Sequence, residues 1–237
     1  MYDKIKNEET ISADQKIIQV INQYKEFTEY FAVDVPWNLP LCLDCRLNCP
    51  GFEACEQEPI KWMHKINLKI NKQKKPKKLF TPYTQRACEI YINNELEESF
   101  LMNHGMGSNV APLLARAAFL KKRISLDWIE VFPKLSLWRL GRSLGISKSH
   151  LKFHRHAVGG DESREIILEA LSEKKLAFVY DQDIKIMISN NHAFEAFVCA
   201  MTGFLKFFKQ TEERPEGFPK KEAWIEFPKL EINWEKV

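Results

Sequence analysis

Apolar residues recur at helical spacing at Ile17, Ile21, Tyr24 and Phe27, behind a capping box at Ser12-Ala13-Asp14-Gln15, and predict an amphipathic helix over 13–29. The period then changes. A short apolar run, Phe31-Ala32-Val33, is interrupted by Asp34 and ended by Pro36, as in a buried strand. Trp128-Ile129-Glu130-Val131-Phe132-Pro133 repeats that design. Thr81-Pro82 reads as an N-cap with proline at the first helical position, opening a helix to about 101, and 111–123 forms another. Further helices are expected over 134–144, stopped by Gly145, over 163–171, and from Asn191 to about Lys209. Residues 176–189 fit strand or helix, and Trp224 to Pro228 reads as an edge strand. Helices alternating with short buried strands predict an α/β fold.

Composition changes this picture little. The chain has 237 residues, 45% hydrophobic and 28% charged, with a net charge of +3, which is the profile of a soluble globular protein of one or two domains. The apolar stretch 194–208 is broken by Glu195, Thr202, Gly203 and Lys206, and the first residues lack the apolar core of a signal peptide. The expectation is a cytoplasmic protein without membrane contact. Charge distribution says more. No acid occurs from Ile60 to Ala87, where Lys72, Lys74, Lys75, Lys77, Lys78 and Arg86 stand among nine basic residues. Such a stretch attracts a polyanion, so these six are the candidate nucleic-acid contacts; a solvated lysine-rich loop is the plain alternative. Arg86, beside a helix start, suits a phosphate or ties a loop to the protein.

Candidate chemistry is concentrated early. Cys42, Cys45, Cys49 and Cys55 have the spacing C-x2-C-x3-C-x5-C around a Pro50-Gly51 turn. In a reducing compartment this reads as a metal site, for Zn²⁺ or a 4Fe–4S cluster, rather than a disulfide frame; four reduced thiols are the alternative. Cys88 and Cys199 read as buried thiols. Asp34 and Glu130 sit within apolar strands, where a carboxylate is costly unless paired or bound to a cation. Glu195 lies among apolar residues of the last long helix, with His192 three positions earlier on the same face. His150, His154 and His156 keep no regular spacing with acid or cysteine, and solvent-exposed or phosphate-facing roles are expected for them.

Val33-Asp34-Val35-Pro36, Ile129-Glu130-Val131-Phe132-Pro133, His192 to Ala200 and the Trp224 strand together resemble, in order and spacing, a family of nucleases with a ribonuclease-H-like fold. The resemblance runs from about residue 15 onward. It implies a mixed sheet flanked by helices over 1–237, with the cysteine- and lysine-rich part, 40–80, as an insertion. It further implies that Asp34, Glu130 and Glu195, with His192 in place of a further acid, converge on Mg²⁺ or Mn²⁺ to hydrolyse phosphodiester bonds of DNA or RNA. The family's opening G-x-D strand has no counterpart after Met1-Tyr2-Asp3. That departure leaves a second reading open, a non-catalytic nucleic-acid-binding or adaptor protein. Actin-like and sugar-kinase ATPases rank last, because no paired glycine-rich phosphate loops occur.

Overall fold

The computed structural model describes residues 12–70, 81–95, 102, 107 and 110–237. The lysine positions 72, 74, 75, 77 and 78, and the opening Met1-Tyr2-Asp3, lie outside them. Among the described residues the chain is α/β, with nine α-helices and a three-stranded sheet. In chain order these are α1 (Ala13–Tyr24), β1 (Tyr30–Val33), α2 (Glu58–Ile70), α3 (Ala87–Glu95), α4 (Ala111–Lys121), β2 (Asp127–Val131), α5 (Pro133–Ser143), α6 (Lys148–Phe153), α7 (Gly160–Ser172), α8 (Asp181–Ser189), α9 (Asn191–Phe207) and β3 (Ile225–Glu226). No helix among the described residues is long and apolar enough to cross a membrane.

Contacts divide the chain into two compact units. One takes 1–34, 123–212 and 226–237; the other takes 35–122 and 213–225. The strand order is β1-β2-β3, and in the first unit β1 runs parallel to β2 with Ala32 opposite Ile129 and Val33 opposite Glu130. Partners in a parallel pair share a face, and successive residues alternate. Ala32, Ile129 and Val131 therefore share one face, where they pack with Cys199 of α9. Gly203 lets α9 lie close: a Cβ there would stand 3.5 Å from Ile129 and 3.8 Å from Ala32. The other face carries Phe31 and Trp128, with ring centroids 4.7 Å apart and nearly perpendicular, together with Val33 and Glu130.

The second unit is built on α2 against α3. Ile60, Met63 and Ile66 meet the same apolar layer as Ala87, Cys88, Ile90 and Ile92, all buried. Trp62, Tyr91, Phe218 and Trp224 form an aromatic cluster, and the Trp62 indole donates to the Glu216 carbonyl at 3.1 Å. The helix expected from Thr81 begins later. Residues 81–84 form a turn, held by Thr84 N–H on the Thr81 carbonyl at 2.9 Å and closed by Gln85, whose side-chain oxygen accepts from Thr81 N–H at 2.9 Å. Threonine and glutamine thus satisfy one another locally, and the helix starts at Ala87. The ambiguous stretch 176–189 resolves into α8, which begins at Asp181.

Candidate functional site

Asp34 follows the last residue of β1, and Glu195 sits on the second turn of α9. Both lie on the α9 side of the sheet, near enough that Glu195 raises Asp34 and both raise the Cys199 thiol. Asp34 keeps an open, solvent-facing side. Burial of its surroundings is the larger cause of its shift. With Glu195 and, more weakly, Glu130 adding to it against the pull of Arg155, the carboxyl is raised to about 7.

Glu195 is 7% exposed and is held by two side chains, His154 and Arg155. His154 Nε2 faces Glu195 Oε1 at 3.3 Å, and Arg155 Nε donates to the same oxygen. Burial alone would raise this carboxyl; the hydrogen bonds and charges of His154 and Arg155 outweigh it and hold Glu195 below the ordinary range. His154 is itself buried, with Nδ1 2.8 Å from the Leu151 carbonyl oxygen. Both ring nitrogens therefore face oxygen atoms, Nδ1 the Leu151 carbonyl and Nε2 the Glu195 carboxylate. Arg164 secures the turn by donating to the carbonyls of His154 and, at 2.7 Å, of Ile188. Arg155 is 49% exposed along its side chain, so its guanidinium meets Glu195 and solvent together.

Several expectations need correction. Glu130 is 3% exposed, but it pairs with Val33 and so lies on the face opposite α9, because one residue along a strand reverses the side. It reaches Asp34 only as a weak field. His192 is exposed on the first turn of α9, and its backbone N–H goes to Asn190 Oδ1 at 2.9 Å; the imidazole that meets Glu195 is that of His154. His154 is buried, not solvent- or phosphate-facing.

Arg86 is also unavailable to a phosphate. It is 0% exposed, its Nε donates to Glu89 Oε1 at 2.7 Å, and its backbone N–H donates to Glu89 Oε2 at 3.1 Å. The pair closes the start of α3, where Glu222 Oε1 also accepts from Cys88 N–H at 2.8 Å. Free backbone donors at a helix start explain this gathering of carboxylates.

The four-cysteine loop does not form the expected metal centre. Cys45 and Cys49 are exposed, and Cys42 and Cys55 are half-buried. Burial first, then the charges of Cys55, Cys45 and Cys49, raises the Cys42 thiol. Yet among the described residues no three His, Cys, Asp or Glu groups stand together as a set able to hold a metal ion. Two short 3-10 turns, Leu41–Leu43 and Phe52–Ala54, take up the loop instead. The same statement covers Asp34, Glu130 and Glu195. Their oxygens suit Mg²⁺ or Mn²⁺, but the sheet separates Glu130 from the other two, and Glu195 Oε1 is already taken by His154 and Arg155.

The sequence pattern does not single out Arg155, and it gives His154 only a solvent-exposed or phosphate-facing role. Their only signal was the polar stretch 154–156 after an amphipathic turn, which does not specify a partner 40 residues away. No family model matches the chain, and neither a curated protein nor a solved structure matches it. The nuclease resemblance therefore rests on the motifs themselves.

Proposed function

We propose that Asp34, Glu195, Arg155 and His154 form the working centre of a phosphodiester hydrolase acting on DNA or RNA. What supports this reading is the placement of solvent-facing Asp34, at the end of β1, close to Glu195 and the half-exposed Arg155 guanidinium, where burial and the neighbouring acid push its carboxyl up to about 7. A proton acceptor works best when its pKa lies near the working pH, and a guanidinium offers forked donors to a phosphate. In this reading Asp34 takes a proton from the attacking water while the P–O bond to the leaving nucleotide oxygen breaks, and that oxygen takes a proton from solvent. Arg155 receives the phosphate oxygens. Glu195, held by His154, aims Arg155 and is a positioning residue. The ribonuclease-H-like assignment belongs to the same proposal; it is supported by the parallel β1–β2 pair with α9 across one face, and Glu130 departs from it. A three-carboxylate Mg²⁺ or Mn²⁺ site does not fit these positions, and no step is drawn through such an ion.

The test is cleavage of labelled single- and double-stranded oligonucleotides between about pH 5 and 9, with and without Mg²⁺ or Mn²⁺. The expected rate rises with pH to a plateau above about 7 and falls at least ~100-fold in Asp34→Asn, in keeping with the usual contribution of a general base. Glu130→Ala should leave the chemistry in place. A strict divalent requirement lost equally in Asp34→Ala, Glu130→Ala and Glu195→Ala would overturn this centre in favour of a three-acid metal site. The second reading, nucleic-acid binding without cleavage, is favoured by the occupied state of Glu195. It wins if no substrate is cut while binding persists.

A further inference from the structure

Arg155 belongs to a longer basic stretch. From Val131 to Gly160 the chain contains no Asp or Glu. Arg139 of this stretch is buried and committed to Glu212 at 2.9 Å. The others stay near the surface: Arg142, Lys148, Lys152, Arg155 and His156 are exposed. Among them stands an exposed aromatic. Phe153 is 52% exposed, with the His156 ring 5.6 Å away at 71°. The turn presenting them is held from beneath by Arg164. A Cβ on Gly160 would lie 3.1 Å from that guanidinium and 3.1 Å from the His154 carbonyl, so the backbone there leaves little room to shift.

We propose that Lys152, Phe153, Arg155 and His156 form the binding track of the Asp34 centre, and that its occupant is a single-stranded nucleic acid. This inference rests on the reading of that centre as a phosphodiester site. A flat ring open to solvent offers a stacking surface that bases use when unpaired, while flanking cations track the backbone. In a duplex the bases are stacked already, so Phe153 has nothing to receive. A second exposed aromatic pair, Phe178 and Tyr180 with centroids 5.0 Å apart, stands among both signs, Glu173, Asp181 and Asp183 against Lys174, Lys175 and Lys185, and so lacks the one-signed positive surroundings of Phe153. Charge thus selects the Phe153 track. Arg155 joins it to the centre through Glu195.

Binding is measured by fluorescence anisotropy on the full chain carrying Asp34→Asn, using a labelled single-stranded oligonucleotide and the matching duplex over a salt series. The strand should bind at least about tenfold tighter than the duplex. Phe153→Ala should weaken strand binding by roughly tenfold or more, and Phe153→Trp should restore it. Lys152→Ala should shallow the log–log salt slope by about 0.7. Both side chains are exposed, so these variants keep the fold. Equal binding of strand and duplex, or binding indifferent to Phe153→Ala and Lys152→Ala, overturns the track. Binding that follows these changes while the chain with native Asp34 cuts nothing leaves the track standing and fails the hydrolase reading. Asp34-dependent cleavage with binding indifferent to Phe153 and Lys152 fails the track alone.

Discussion

Asp34 and Glu195 answer pH in opposite senses, which separates their contributions. Asp34 is raised from 3.8 to about 7, so between those values the folded chain binds more protons there than the unfolded chain does. Its contribution to stability is complete below the unfolded value and is lost as pH rises through about 7. Glu195 is lowered from 4.5, so its contribution is present above that value and is lost on acidification below it. Between about pH 5 and 7, Asp34 is the member of this pair that sets the slope. Asp34→Asn should therefore gain melting temperature relative to the native chain as pH rises across this window. Parallel profiles from thermal unfolding would show that Asp34 is not the strained group. Neither the raised carboxyl nor its cause was legible in Val33-Asp34-Val35-Pro36. The motif announces an acid at a strand end, but its neighbours come from α9 and from the turn after α6.

At the scale of elements, register decided what pattern could not. Each acid-bearing strand was visible, and so was the long helix carrying Glu195. Which face Glu130 occupies depends on pairing Val33 with Glu130, a fact about two strands almost a hundred residues apart. Helix contacts show the same limit at Gly141 in α5, which reads as an ordinary helix position. A Cβ there would fall 2.2 Å from Leu151 Cδ2 and 3.0 Å from its Cγ, and Leu151 is buried. Alanine is better than glycine in a helix by about 1 kcal/mol, but forcing a methyl into a packed contact costs about 1–3 kcal/mol. The clash involves the branch point of a buried side chain as well as its tip, so it should win. Gly141→Ala is expected to lose about 1–2 kcal/mol in urea unfolding. Adding Leu151→Ala should cost less than the sum of the two single changes, with a coupling of about 0.5–3 kcal/mol. A Gly141→Ala chain as stable as the native one would show that α5 and α6 do not approach this closely.

At the scale of the whole molecule, the chain crosses between its two units four times, and its end closes the first one. The closing segment looks weak in sequence: proline, charge and one short apolar run. Its apolar residues nonetheless fill the first unit. Phe227 is 1% exposed, with the Arg139 guanidinium 5.4 Å from its ring centre, and Ile232 is buried. Backbone ties add to this. Glu212 N–H donates to the Phe227 carbonyl at 3.0 Å, Lys229 N–H to the Gln210 carbonyl at 2.9 Å, and the Trp234 indole to Ser143 Oγ at 2.7 Å. Losing the Phe227 side chain alone costs about 3–5 kcal/mol, against a typical total of about 5–15 kcal/mol. A chain ending at Glu226 should therefore lose the first unit. Buried thiols report on each unit separately, Cys199 at 4% exposure in the first and Cys88 at 0% in the second. With Cys42, Cys45, Cys49 and Cys55 replaced by serine to remove their background, the truncated chain should expose Cys199 to a thiol reagent. Slow reaction of Cys88 in that same sample would mean that the α2–α3 unit keeps its core without the first. Rapid reaction at both would mean that the two unfold together. Protection of Cys199 would show that the sheet and α9 hold without the tail, contrary to the burial of Phe227.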